Sequence, residues 1–317
     1  MQPSFVPDSD LALLQNFCAP FLVGAQNQDG GWGFQPSCES RVEPTCWALL
    51  ALRDVPCLVA TEVIARGRQY LLAAQLRDGS WPASREETRG SWVTSLACSA
   101  LSSEKQCTEA VSAGLRWLCR DLPLDSSPFR LFVRRLFSSA SHSAHNDSLR
   151  GWGWTPRTSS WVEPTAFALL ALRDVAAASL PREASARRQL AVELLYDRMC
   201  PGGGWNCGNP MVYGVAGEPL VLPTSWALLA LWDQPSHEKK TASLAWLYQA
   251  YPQVRSLASL AVAKIALQAF GAGVPTNSPS PSVPFEGNHQ RMVHVIAWTC
   301  LALNQHRTWF PPRNGAA

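Results

Sequence analysis

Residues 42–55 read VEPTCWALLALRDV, and residues 162–175 read VEPTAFALLALRDV. Twelve of the fourteen positions agree, at an offset of 120 residues. A shorter copy, LPTSWALLAL, fills residues 222–231. A segment that recurs along a chain marks a repeat architecture, in which each unit buries its apolar face against its neighbours. These strings are apolar all round, which predicts helices buried on most sides. Pro44, Pro164 and Pro223 stand in the first turn, where a missing N–H costs little. Glu43 and Glu163 lie at the same ends, where the helix dipole favours a negative group.

Each strong unit has an earlier half. Residues 66–81 read RGRQYLLAAQLRDGSW and residues 21–32 read FLVGAQNQDGGW, while GWGW at 151–154 and PGGGW at 201–205 keep only the end. Glycine just past a periodic apolar stretch is a helix stop signal, because it accepts a left-handed backbone. The following Trp32, Trp81 or Trp205 is expected to cover the helix end as a structural clamp. The predicted unit is therefore an outer amphipathic helix, a Gly/Trp turn and an inner apolar helix.

The slot of Thr45 counts the units. It recurs at Thr94, Thr165 and Thr224, then more weakly at Ala258 and Ile296, which makes six. Six helical hairpins close into a ring, so the fold expected is an all-α (α/α)6 toroid forming one domain over residues 1–317. Spacings of 49, 71, 59, 34 and 38 between slots are too uneven for an open solenoid. Loops 140–160 and 271–288 absorb the difference, while the last outer helix and the role of 127–138 stay unassigned.

Composition narrows the function. Net charge is only +3, with no basic stripe, so nucleic acid is not an expected partner. The N-terminus shows no signal-peptide pattern. The longest apolar stretch, 257–274, is broken by Lys264 and Gln268, so no membrane span is expected, and a peripheral membrane contact stays open. Ten cysteines without a CxxC pair read as reduced thiols of a cytoplasmic protein. No P-loop, dinucleotide fingerprint, Gly-x-Ser-x-Gly or Asp-Asp-x-x-Asp motif is present.

The stretch ARGRQYLLAAQLRDGSW closely resembles the QW repeat of squalene and oxidosqualene cyclases. Arg66, Gly67, Tyr70, Leu71, Gln75, Gly79 and Trp81 carry the likeness, and Gln26, Gly30 and Trp32 repeat its second half. Those cyclases have two α/α barrels in a chain, and the length here implies one. The resemblance implies a class II terpene cyclase, an isomerase or lyase that acts on a hydrophobic polyprenyl substrate. Such enzymes protonate an alkene or epoxide with the middle carboxylate of Asp-x-Asp-Asp, followed by Thr and an inner helix.

That motif falls here on Trp161, Val162, Glu163 and Pro164, and in the first copy on Arg41, Val42, Glu43 and Pro44. A single carboxylate survives in each. Following the slot of Glu43 through the six units gives Glu43, Trp92, Glu163, Leu222, Ser256 and His294. The site expected is a rim with Glu163 as first proton donor, Glu43 as second and His294 as partner. A cavity lined by Trp47, Trp92, Trp161, Phe167, Trp226 and Trp298 would steady carbocations through ring faces. The competing reading takes both glutamates as plain helix-start residues and most inner aromatics as core.

The superfamily also contains zinc-binding prenyltransferase β-subunits. Cys207, His294 and Glu163 are a scattered offer of ligands, so no metal and no cofactor is expected. Three readings remain: a terpene cyclase, a non-catalytic toroid that binds an isoprenoid or a protein, and a prenyltransferase β-like subunit.

Overall fold

The structure, a computed structural model, describes residues 9–55, 60–124, 146–175, 180–276, 278–279 and 292–304. The stretch 127–138 and most of the loop 271–288 lie outside them.

Helices alternate between an outer and an inner position. The first outer element is α1 (Ser9–Leu13), a π-helical turn (Leu14–Cys18) and α2 (Ala19–Gly24). The inner helix α3 (Val42–Leu52) follows, then outer α4 (Ala60–Ala74) and inner α5 (Val93–Leu101). Next come outer α6 (Thr108–Arg120), inner α7 (Val162–Asp174), outer α8 (Ala184–Asp197) and inner α9 (Val221–Ala230). Outer α10 (Glu238–Ala250) and inner α11 (Leu257–Ala269) precede the last inner helix, α12 (Val293–Leu303).

The six inner helices form a closed ring. Each packs on the next in chain order, and α12 packs back on α3. The first outer element lies against α12 and α3, α4 against α3, α6 against α5 and α7, α8 against α7, and α10 against α9 and α11. Ring closure leaves no inner face open to water, which is why these helices are apolar all round. The break foreseen at Lys264 is absorbed. Its ammonium is buried and paired with Asp10 of the first outer element at 2.6 Å.

One hydrogen-bonded clamp repeats in four units. The backbone N–H of Trp32, Trp81, Trp152 and Trp205 donates to the hydroxyl of Thr45, Thr94, Thr165 and Thr224 at 2.8–3.0 Å. Each indole N–H donates to a carbonyl in the last turn of an outer helix: Leu22, Leu71, Leu118 or Leu195. Each tryptophan thus ties an outer helix end to an inner helix start. Trp152 is the clamp that sequence reading missed.

The turns also grip the next unit. The Gln26 amide donates to Gly30 and to Val63 of α4, and the Gln75 amide donates to Gly79 and to Ala110 of α6. Gly30 has φ +86°, and a Cβ there would sit 2.6 Å from the Arg66 carbonyl oxygen, so backbone handedness and close approach both demand glycine. Trp and Thr are 13 residues apart in three clamps and 19 in the fourth. The added length there holds a small hairpin, β1 (Met211–Val212) and β2 (Val215–Ala216), paired Met211 to Ala216. Tyr213 and Gly214 at its tip both have positive φ, as tight hairpin turns require.

Candidate active site

Residues in the Glu43 slot stand at the N-terminal ends of the inner helices: Glu43, Glu163, Leu222 and His294 are second helical residues, and Trp92 and Ser256 are N-caps. Residues four further on stand one turn, roughly 6 Å, deeper. The deeper slot holds Trp47, Leu96, Phe167, Trp226, Leu260 and Trp298. Four of the six are aromatic, and their rings meet. Trp47 stacks on Trp226 with centroids 5.4 Å apart, meets Trp298 edge-on at 5.3 Å and meets Phe167 at 5.8 Å. Phe167 and Trp226 are 5.0 Å apart, and Trp226 and Trp298 are 5.7 Å apart.

The helices α3 and α9 lie three places apart in a ring of six, so the Trp47–Trp226 stack crosses the axis. Trp47, Phe167, Trp226 and Trp298, four of the six aromatics expected around a cavity, are thus in ring contact with one another. At this depth they form a packed plug rather than the walls of a chamber. Their edge-on and stacked pairings are the arrangements aromatic quadrupoles favour. Trp47 and Trp226 are fully buried.

The rim sits directly above. Trp92 precedes α5 and stacks on Phe167 at 5.3 Å, with Trp154 edge-on behind it at 5.0 Å. Trp161 precedes α7 and pairs through its backbone with Trp152. It is half-buried and makes no ring contact among the described residues. Ser256 caps α11. Leu222 completes an apolar sector.

Glu43 and Glu163 are half-buried on this rim. Burial among apolar groups disfavours the carboxylate and pushes each carboxyl up to about 7. The neighbouring Trp47 indole, one turn on, partly offsets the shift of Glu43. Glu163 has Phe167 at the matching place. His294 lies edge-on to Trp298 at 5.1 Å and to Phe34 at 5.8 Å. Its Nδ1 is buried with no hydrogen-bond partner, and burial pushes its pKa down to about 4, so the ring is neutral at pH 7. Among the described residues it bonds to neither glutamate. The structure therefore brings the three rim residues to one mouth while pairing His294 with rings rather than carboxyls.

Among the described residues no three His, Cys, Asp or Glu side chains gather as a metal site. Cys207 lies near Glu163, but His294 does not join them.

The mouse lanosterol synthase is 38% identical over 91 residues, a match spanning 25% of this chain and 12% of that enzyme. A drimenyl diphosphate synthase of Streptomyces showdoensis is 26% identical over 251 residues, spanning 67% of this chain and 45% of the relative. The chain thus spans less than half the length of the curated relatives it matches. No protein-family model matches it. The type II terpene cyclase MstE from Scytonema, in complex with geranylgeranyl dihydroxybenzoate, superposes with a TM-score of 0.56 at 14% identity, covering 92% of this chain and 78% of that one. The chain is a squalene/oxidosqualene cyclase-like α/α toroid. At such identity the structural likeness is one of fold alone. An α-1,6-mannanase of a Salegentibacter species shares that fold with a TM-score of 0.59 at 9% identity, covering 93% of this chain and 99% of that one. Chemistry on this cyclase-like scaffold has to be argued from the rim.

Proposed function

We propose that this cyclase-like chain acts on a hydrophobic isoprenoid by protonating an alkene at the N-terminal mouth, in the manner of a class II terpene cyclase. The observation that carries the reading is the pair of half-buried carboxyls, both raised to about 7, directly over a layer of aromatic rings. A carboxyl that keeps its proton near neutral pH is matched to general-acid work. Glu163 is the first donor and Glu43 the second. The half-buried Trp92 stands on the rim, near where positive charge would develop. His294, neutral and unpaired at Nδ1, orients the substrate on that side. Because the rings meet across the axis, chemistry is confined to the mouth above them, which suits the end of a prenyl chain.

A cytoplasmic setting is part of this reading, and the nine described cysteines, all free thiols, fit it. No described helix is long and apolar enough to cross a membrane. A peripheral membrane contact fits the exposed Val212, Tyr213, Val215 and Leu220. Their hairpin joins the Glu163 rim through the Val162 N–H, which donates to the Cys207 carbonyl at 3.1 Å.

A second reading is favoured by the plug itself: a toroid that binds an isoprenoid at its mouth without turning it over. Incubation with squalene, farnesyl diphosphate and geranylgeranyl diphosphate in deuterated buffer, followed by mass spectrometry, separates the two. A cyclase yields a product carrying one carbon-bound deuterium, and Glu163→Gln abolishes it. Unchanged product from Glu163→Gln would eliminate the proposed donor. Substrate retention with no product would support the binder.

A further inference from the structure

At three junctions the loop after a clamp tryptophan meets the start of the preceding inner helix. Its carbonyl accepts from a backbone N–H there: Phe34 from Val293 at 2.9 Å, Trp154 from Trp92 at 3.2 Å and Cys207 from Val162 at 3.1 Å. A helix start has spare N–H groups, and these bonds satisfy donors that the helix itself cannot. The first of the three joins the first unit to the last helix and so closes the ring. It also sets Phe34 against the His294 ring, with centroids 5.8 Å apart.

Beside that contact, two buried polar atoms have no hydrogen-bond partner among the described residues: Nδ1 of His294 and Nε1 of Trp298. The two residues are four apart on α12, so they share a helix face, and their rings meet edge-on at 5.1 Å. Trp298 is only 7% exposed. Buried polar side chains are nearly always bonded, and two unmet ones on adjoining rings point to a ligand. The surroundings are uncharged. The other ring contacts of the pair are Phe34, Trp47 and Trp226, and no described cation stacks on either ring. Burial, without a neighbouring charge, holds His294 neutral at pH 7.

We propose that His294 and Trp298 form a seat for one uncharged ligand oxygen, the hydroxyl of a prenyl alcohol, with Phe34 as its outer wall. This deepens the cyclase reading by naming the head of the substrate, and it rests on that reading for the isoprenoid tail. A hydroxyl matches both atoms. It accepts from the indole N–H, and it can donate to a bare imidazole nitrogen or accept from a protonated one, so either His294 tautomer is served. A diphosphate fits poorly, because no cation is at hand and an unpaired charge among rings is costly to bury. A plain hydrocarbon leaves both atoms unmet. In the ring of six, α12 and α7 are three places apart, so His294 faces the Glu163 side across the mouth. An alcohol seated at α12 therefore runs its tail toward the proposed proton donor.

The full chain, labelled with 15N in tryptophan and histidine, is titrated with farnesol, with the hydrocarbon farnesene and with farnesyl diphosphate. Trp298→Phe and His294→Phe assign the two signals. Farnesol should move the Trp298 indole N–H downfield. His294→Phe should weaken farnesol binding about fivefold or more, the worth of one hydrogen bond, and leave farnesene binding as it was. Trp298→Phe reads the same seat should His294→Phe fold poorly. An indole signal that saturating farnesol leaves in place would mean that water alone meets these atoms, and overturns the proposal. Equal losses for farnesol and farnesene, or tighter binding of farnesyl diphosphate than of farnesol, overturn it as well.

Turnover keeps the two readings apart. Farnesol held at the seat but recovered from deuterated buffer without carbon-bound deuterium would sink the cyclase reading and support the seat. Cyclisation of farnesol with the same KM in the natural chain and in His294→Phe would keep the cyclase reading and overturn the seat.

Discussion

Glu43 and Glu163 are carboxyls whose surroundings favour the proton, and this has a consequence for stability. Between the ordinary 4.5 and about 7 the folded chain keeps protons that the unfolded chain has released. Stability therefore falls as pH rises through that window and levels off above it. His294 works in the opposite sense. Its folded pKa of about 4 lies below the ordinary 6.5, so it adds stability as pH rises between those values. Among these three groups the two carboxyls outweigh the one imidazole, so their combined contribution falls as pH rises. Urea unfolding at a series of pH values checks this. Glu163→Gln should flatten the decline by at most about 1.4 kcal/mol per pH unit, the limit for one proton. A variant with the natural slope would mean that Glu163 titrates like a solvated carboxyl. Both glutamates were legible in the sequence as candidates. How deeply each carboxyl is buried was not, because spacing along a helix shows which side chains share a face but not what covers them.

At the scale of elements, the repeated clamp explains which parts of the chain could be read. Trp32, Trp81 and Trp205 each reach back ten residues to the last turn of their own outer helix. That regular spacing makes the Gly/Trp stop signal visible. Trp152 reaches 34 residues back to Leu118, so no helix stop announces it. The hairpin at Met211–Ala216 escaped for a different reason. Strands of two residues are too short to show alternation. The hairpin presents a fully exposed Tyr213 beside Val212 and Val215. If it docks the mouth on a bilayer, Tyr213→Ser combined with Val215→Ser should weaken retention on neutral phospholipid vesicles by about tenfold or more. Burial of such side chains contributes about 1.5–3 kcal/mol each, and 1.4 kcal/mol is a factor of ten. Equal co-sedimentation of the variant and the natural chain would discard the membrane contact.

For the whole molecule, the decisive feature is that the ring closes and aromatic rings meet across its axis. Trp226 touches Trp47, Phe167 and Trp298, which come from three other inner helices. Trp226→Ala should cost about 3–5 kcal/mol, because a void among rigid rings cannot collapse. It should also open a space below the mouth that takes up a small apolar probe, as unfilled apolar cavities do. Urea denaturation reads the first effect, and binding of an aromatic probe to the folded variant reads the second. A cost under 1 kcal/mol would mean that the plug packs loosely and can give way to a substrate. The sequence by itself determined the unit, its sixfold count and the slots on the rim, since those follow from local spacing, apolar periodicity and glycine handedness. Only the tertiary structure decided that the inner aromatics meet across the axis and that His294 turns to rings rather than to the carboxyls. Those outcomes depend on which way side chains face when six helices converge, and residues brought together from across the chain settle that direction.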